Sequence, residues 1–481
     1  MDVIKNKKHL IFDPIYGFIK LTPIEWKIIH SPFYQRLRWI KQLGFSFYVF
    51  PGAEHSRFGH SIGVMHNAHE ILKSCKKAVT DEELMNPSFH SKDKDFHQTI
   101  RLSALMHDLG TFPFSHTTEG AYIEFGDTTN NKRGKGLKDD HENLGSFIIK
   151  NTDYEGGITR ILEDFGYEPK IISDYVKGLG PSILGNQILH SDIDCDRMDY
   201  LLRDAHYTGL KYGSYDRDYL LFNFKTGIIE NEEVLTIRSN AIHCIEDFLL
   251  SRFSWYSQVI RSPRGAKYDA IAARVCFHML EKSLVYKYSE LLDLVSYEPM
   301  RFFGFNDNYF MTAVQQNLAA GHFDKFGDIK EMAETLLFKK GPKTIRAKEF
   351  NQRLLNQDDL QGNEKVIKKA EVKLEEIIKV LKKKGSKEDW VIPDLPTKDL
   401  TMVSSYKKLI KKKTSPNILL ERDPVKILFE NNDIKLLVEV ENSIISNLQN
   451  TNNYLPNVFC SKSAYNLLLE ENLIEGERYF S

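Results

Sequence analysis

Imidazoles and carboxylates in three short stretches are the residues of this sequence best equipped for chemistry. PGAEHSRFGHSIG holds His55 and His60. LMHDLGTFPFSH holds the adjacent His107 and Asp108 and then His116. SDIDCDRMDYLLRD spaces Asp192, Asp196, Asp199 and Arg203 like one helical face. Imidazole nitrogens with carboxylate oxygens make a site of intermediate softness, suited to Mn, Fe, Zn, Ni or Mg. Such a cation polarises a phosphoryl oxygen and lowers the pKa of a bound water, which is what phosphate-ester hydrolysis needs. Each stretch alone also has an ordinary structural reading. With sixteen histidines and abundant Asp, roughly one His-Asp dipeptide arises by chance. A lone His60 is by default a hydrogen-bonded structural residue, and an acidic stripe is by default a solvated helix face.

The elements that must position these residues are mostly helical. Residues 10–21, around Asp13-Pro14 and Gly17, read as a short β-hairpin or extended arm. From about Thr22 the pattern turns helical. Ile62, Met65, Ala68, Leu72 and Cys75 mark one helix face, and Ile100, Ala104 and His107 mark the next, with Gly110 placed to end it. Two polar stretches interrupt this block, 79–97 with Pro87 and 126–140; the second, GDTTNNKRGKGLKDD, reads as a mobile surface loop that could close over the site. Helical patterns resume to about residue 340. The span 339–413 is rich in lysine, including Lys382–Lys384 and Lys411–Lys413. Within it Ile367, Ala370, Leu374, Ile378 and Leu381 give an amphipathic helix stopped at Gly385. Beyond Trp390, two prolines (Pro393, Pro396) and the β-like runs ILLE and VKILFE suggest a smaller α+β lobe.

Composition narrows the classes. The 481 residues are 42% hydrophobic and 27% charged, enough for a large core. Sixty-five basic against 66 acidic residues give a net charge of -1, so whole-chain attraction to nucleic acid or anionic membrane is not expected. The five cysteines are scattered without a CxxC pair, against a disulfide framework or a thiolate zinc site. The opening MDVIKNKKHL lacks a secretory apolar run, and no stretch reaches the roughly 20 apolar residues that span a bilayer. A cytoplasmic protein with no membrane association is the expectation.

Taken together, FDPIYGFIKL, QRLRWIKQLGFSFYVFPGAEHSRFGHSIGV, LMHDLGTFPFSH, HENLGS and DIDCDRMDYLLRDAHYTG resemble the HD-domain dNTP triphosphohydrolase family. The likeness extends to vertebrate members with a sterile-alpha-motif domain and to bacterial relatives, and covers residues 10–270, with no sterile-alpha-motif domain expected ahead of it. It implies an HD-domain helical core; with the small N-terminal β-hairpin and the smaller α+β C-terminal lobe read from the pattern above, the expected fold is mainly α, divided as 1–335 and 336–481. The resemblance implies His60, His107, Asp108 and Asp196 as ligands of a divalent metal ion, and so picks Asp196 out of the acidic stripe. It places Gln42 and Leu43 at the nucleoside, Gln42 near the sugar 3′-hydroxyl, and Arg57 on phosphate. His116 and His141 would sit near the scissile α-phosphate, with Glu119 as the acidic partner of the second histidine. Arg197, where a relative has lysine, would touch phosphate. Tyr200 and Asp204 would frame the deoxyribose, the tyrosine packing where a 2′-hydroxyl would clash, and Arg252 would bind the terminal phosphate.

The implied reaction converts a deoxynucleoside triphosphate and water to deoxynucleoside and triphosphate. Phosphate-facing cations would offset a substrate of about four negative charges, and a His141–Glu119 pair would hold an imidazolium as general acid. The sequence also departs from the family. Thr111 replaces a histidine of the usual LGHGPFSH, Ile260 stands where an aromatic is common, and His30 replaces the aspartate that reads guanine at the effector site, beside the matching Gln35 and Arg38. Activation by GTP is therefore not carried over. The family likeness also implies a homo-oligomer, a dimer or tetramer. Two alternatives stay open: an HD-type nucleotidase or phosphodiesterase on other nucleotides, and a nucleic-acid-binding protein on a degenerate HD scaffold, motivated by the lysine-rich span.

Overall fold

In a computed structural model, which describes residues 9–75, 79–86, 88–130, 138–356, 359–394, 417–448 and 451–476, the chain opens as an antiparallel hairpin. His9–Asp13 pairs with Gly17–Leu21 in the register His9↔Leu21 and Asp13↔Gly17. Asp13 Oδ1 accepts from the Ile15 and Tyr16 amides at 2.8 and 3.2 Å, and Gly17 takes a φ of +72°, so the turn follows from its own residues. Asp13 Oδ2 also lies 2.9 Å from Arg203, tying the hairpin to a helix of the site.

Helices dominate the fold, as expected. Thr22 caps Pro23–Ile29 through a capping box with Glu25. Arg57–Ser74, Lys92–Met106, His116–Phe125, His141–Lys150, Cys195–Thr208, Ile242–Trp255 and Pro263–Glu281 then surround one large core. Ile62, Met65, Ala68 and Leu72 are all buried in it, as their spacing requires.

Three expectations change. Lys92–Met106 stops before Gly110, which does not act as its cap. A Cβ there would lie 2.2 Å from Gly145 N and 2.3 Å from His141 O, so the glycine lets His141–Lys150 press onto the turn after His107-Asp108. The stretch read as helical to residue 340 contains a β-hairpin, Phe224–Ile229 against Glu232–Arg238. Its turn is Glu230-Asn231, both at positive φ, with no glycine to announce it. Finally, ILLE forms a short 3-10 turn at Ile418–Leu420 rather than a strand.

VKILFE does supply a strand. Lys426–Leu428 lies parallel to Glu232–Arg238, and Ile434–Leu436 completes that four-stranded sheet. Trp390, Ile427 and Phe459 join the main core, whereas Ala370, Ile377, Val458 and Leu468 form a second, smaller cluster. The helix Leu360–Lys384 ends at Gly385, as its spacing predicts. Residues 131–137 of the expected loop, Pro396 and Lys411–Lys413 lie outside the described residues. No helix among the described residues is long and apolar enough to cross a membrane.

Candidate metal centre and active site

His60 stands in the first turns of Arg57–Ser74. His107 and Asp108 follow Lys92–Met106 directly, and Asp196 begins Cys195–Thr208, whose cap is Asp194 Oδ1 accepting from Arg197 N at 2.8 Å. The structure gathers all four. His60 Nε2 lies 3.0 Å from Asp196 Oδ1 and 3.7 Å from Asp108 Oδ2, and His107 Nε2 lies 3.7 and 3.5 Å from the same two atoms. Both Nε2 atoms are buried without a hydrogen-bond partner. The opposite ring nitrogens are occupied: His107 Nδ1 meets Ala104 O at 2.8 Å, and His60 Nδ1 meets Asp199 Oδ2 at 2.7 Å. Those outer contacts aim both lone pairs inward. His60, His107 and Asp196 bring ligand atoms close enough to hold a divalent cation, and Asp108 Oδ2, 3.7 and 3.5 Å from the two imidazoles, would complete the donor set.

Asp199 stands in the sequence only as one member of the acidic stripe, with no role of its own, yet it orients His60. Its carboxylate is fully buried and takes Arg203 Nε and Nη2 at 2.8 and 2.9 Å. The acidic stripe is therefore not a solvated face. A Cβ on Gly63 would sit 1.8 Å from Asp199 Oδ1, so glycine is what lets the two helices approach. The signal was present in the sequence as the four-residue step from Asp199 to Arg203.

Beside the metal ligands stands a second group. Phe114 and Ser115 both take positive φ, 55° and 57°, turning the chain so that His116 opens a new helix. Glu119 Oε2 meets His116 Nδ1 at 2.6 Å, while Oε1 meets His141 Nδ1 at 2.6 Å and the His141 amide at 2.8 Å. Burial opposes charge on His141, but the adjacent Glu119 carboxylate outweighs it and raises the imidazole to about 9. Burial likewise pushes Glu119 up, and the His141 charge with the two histidine contacts overcomes it, holding the carboxyl well below its usual range. The pair is thus an imidazolium–carboxylate near neutral pH. Asp108 is similar: burial raises its carboxyl, and the Arg57 cation more than reverses the effect.

The remaining residues named from the sequence have their own local partners. Arg57 donates from Nη1 to Asp108 Oδ2 at 2.6 Å and from Nε to Ser115 Oγ at 2.9 Å, so its visible partners are protein groups. Arg197 binds Ser191 O at 2.9 Å and Asp194, with its Nε buried and unpartnered. Arg252 Nη1 is also buried without a hydrogen bond, 3.6 Å from Asp192 Oδ1. Tyr200 packs on Trp255 with ring centroids 4.6 Å apart. Asp204 Oδ1 meets His55 Nε2 at 2.7 Å, and the His55 carbonyl accepts from Gln42 N at 3.0 Å, next to the buried Leu43. Asp204 Oδ2 and Gln42 Oε1 are left buried without partners. The Thr111 hydroxyl donates back to Asp108 O at 2.7 Å and so is turned away from any ligand. Ile260 is half-buried in a π-helical turn, Tyr256–Ile260.

The profile of the HD domain matches residues 57–204, which contain all four candidate metal ligands. An uncharacterised protein of Methanocaldococcus jannaschii, MJ1154, is 32% identical over 308 residues, 64% of this chain and 57% of its own. Bacillus subtilis YwfO, also uncharacterised, is 30% identical over 56% of this chain and 55% of its own. The human deoxynucleoside triphosphate triphosphohydrolase SAMHD1 is 28% identical over 54% of this chain and 43% of its own. The matches span about half the length of these relatives. Among solved structures, a phosphohydrolase from Bacteroides thetaiotaomicron aligns with 95% of this chain and 100% of its own at a TM-score of 0.64 and 19% identity. A hypothetical protein from Aquifex aeolicus aligns over 96% and 98% at 0.64 and 23%, so the fold is shared along nearly the whole chain.

Proposed function

We propose, from the match of residues 57–204 to the HD-domain profile and the geometry of the site, that the protein is a metal-dependent triphosphohydrolase that cleaves a deoxynucleoside triphosphate to deoxynucleoside and triphosphate. The observation that carries this reading is the His141–Glu119 ion pair beside a ready-made metal site. His60, His107, Asp108 and Asp196 would hold a divalent cation, which would supply charge for the phosphoryl oxygens and acidify a water; Mn, Mg, Fe, Ni and Zn all suit this donor set. The His141 imidazolium donates its proton to the 5′-oxygen of the departing deoxynucleoside, and Glu119 keeps it charged until then. His116, exposed on the same carboxylate, faces the phosphate chain from the open side. Arg197 Nε and Arg252 Nη1, which make no hydrogen bond within the protein, take phosphate oxygens, and Arg57 turns part of its fork to phosphate while holding Asp108. Gln42 Oε1 and Asp204 Oδ2 accept from the sugar hydroxyl, with Leu43 and Tyr200 against the nucleoside, because unpartnered buried acceptors need such a donor.

In this reading residues 336–481 form the smaller lobe of a cytoplasmic homo-oligomer. Lys384, one of the lysines that suggested nucleic acid, is already committed to Glu471 at 2.6 Å. The test separates products by anion exchange after incubation with each dNTP and Mn²⁺ or Mg²⁺, with Asp108→Ala as control. Deoxynucleoside and triphosphate, absent in the variant, are expected. Monophosphate or orthophosphate release, also lost in the variant, would replace this reading with a nucleotidase or phosphodiesterase.

A further inference from the structure

Asp307 opens the helix Asp307–Ala319, far from every motif, and its buried carboxylate reaches back into the site. Its Oδ1 accepts from Phe114 N at 2.6 Å and its Oδ2 from Lys41 N at 2.9 Å. Asp269, on Pro263–Glu281, makes the same kind of bridge: its Oδ1 accepts from Phe45 N at 2.9 Å and from Thr117 Oγ1 at 2.7 Å. Both carboxylates therefore join the same two segments. One is 41–45, which contains Gln42 and Leu43; the other is 114–117, the positive-φ turn that presents His116. Between the bridges Ser115 Oγ donates to Lys41 O at 2.6 Å, and the Phe45 and Phe114 rings stack with centroids 4.2 Å apart.

The need for such bridging is physical. A bulky residue such as Phe114 does not hold a left-handed backbone unless its surroundings impose it. A buried carboxyl oxygen that accepts a backbone amide fixes the position of that amide, because losing the bond would leave a buried donor unpaired, so it can impose that geometry. Gly44, at φ +50°, shows how close the seam is: a Cβ there would lie 2.4 Å from Thr117 Oγ1 and 2.6 Å from Asp269 Oδ1.

We propose that Asp307 and Asp269 are positioning residues that staple the nucleoside-side segment to the turn carrying His116, so that sugar and scissile phosphate are held in one register. The kinetic consequence rests on the triphosphohydrolase reading; the structural one does not. The two carboxylates differ in a way that makes the proposal testable. Asp307 uses both oxygens, so Asp307→Asn must set its amide nitrogen against one of two N–H donors. Asp269 receives both donors on one oxygen, so Asp269→Asn can keep them on its carbonyl, whereas Asp269→Ala cannot.

The experiment is amide hydrogen exchange on the full chain with Mn²⁺, read over 41–45 and 114–117 together, beside bound-metal content and dNTP turnover. In Asp307→Asn and Asp269→Ala, exchange is expected to rise in both segments at once with metal content unchanged. In the same variants kcat is expected to fall about tenfold or more, with KM changed less than about threefold. Asp269→Asn should stay within about threefold of the parent in both readouts. Exchange that rises in one segment alone or in neither, or an Asp269→Asn as damaged as Asp269→Ala, would overturn the proposal. Should Asp307→Asn not fold, Thr117→Val, which deletes only the hydroxyl, must still raise exchange in both segments. If the parent protein turns over no nucleotide, the triphosphohydrolase reading fails, and the exchange results still decide the staple.

Discussion

His60 owes its usefulness as a ligand to Asp199 behind it as much as to the carboxylates in front. Asp199→Asn keeps the shape but weakens the hold on Nδ1, and metal affinity should fall about 10- to 100-fold in a titration followed by calorimetry. An unchanged affinity would make Asp199 a purely structural residue. The His141–Glu119 pair carries a pH dependence whose sign is fixed. Its imidazole is raised to about 9, above the unfolded value near 6.5. The stabilisation it gives is complete below the unfolded value and is lost as pH rises through about 9. Its general-acid form follows the same limb, so kcat should decline on the alkaline side, at or somewhat below pH 9, since a nearby cation favours the neutral ring. Glu119→Gln should move that limb to lower pH, and a limb that stays in place would assign the proton to another group. At this scale identity and spacing marked His107-Asp108 and the Asp192–Arg203 stripe only as candidates, and the family resemblance was needed to pick Asp196 out of the stripe. The sequence was silent on Asp307 and Asp269, because a carboxylate that serves distant backbone amides leaves no local pattern.

Elements place these residues by close approach more than by regularity. Gly110 and Gly145 let the His141–Lys150 helix sit on the turn after Asp108. Gly110→Ala would force a methyl into that contact, and a loss of about 1–3 kcal/mol is expected in urea unfolding, together with lower turnover as His141 moves. Unaltered stability would show that the turn can yield. Periodicity located the helices Arg57–Ser74 and Lys92–Met106, although the first is buried nearly all round and the second continuously from Ile100 to Met106, so the apolar spacing marks only part of each buried surface. It misread Gly110, whose role depends on a helix that comes much later in the chain. It also missed the Phe224–Arg238 hairpin, because its Glu-Asn turn has no glycine or proline and looks like ordinary polar sequence.

Across the whole molecule, the last third of the chain is part of the machinery's frame. Lys426–Leu428 extends the sheet begun at Phe224–Arg238, and Asp423 O accepts from Asp192 N at 2.8 Å, just ahead of Asp194 and Asp196. Ile427→Ala, in a fully buried position, should cost about 2–5 kcal/mol by denaturant unfolding. A loss below that range would mean that this strand packs less firmly than its burial implies. The sequence foretold an α+β character here but not the sheet it joins, because parallel pairing across so many residues has no local signature. The claim on which the account turns is cleavage at the α-phosphorus, with the deoxynucleoside leaving. The most direct measurement is turnover of a dNTP in oxygen-18 water, with products read by phosphorus NMR and mass spectrometry. The account predicts unlabelled deoxynucleoside and triphosphate bearing one heavy oxygen on a terminal phosphate. Label in pyrophosphate, orthophosphate or a nucleoside monophosphate, or in the deoxynucleoside itself, would contradict it.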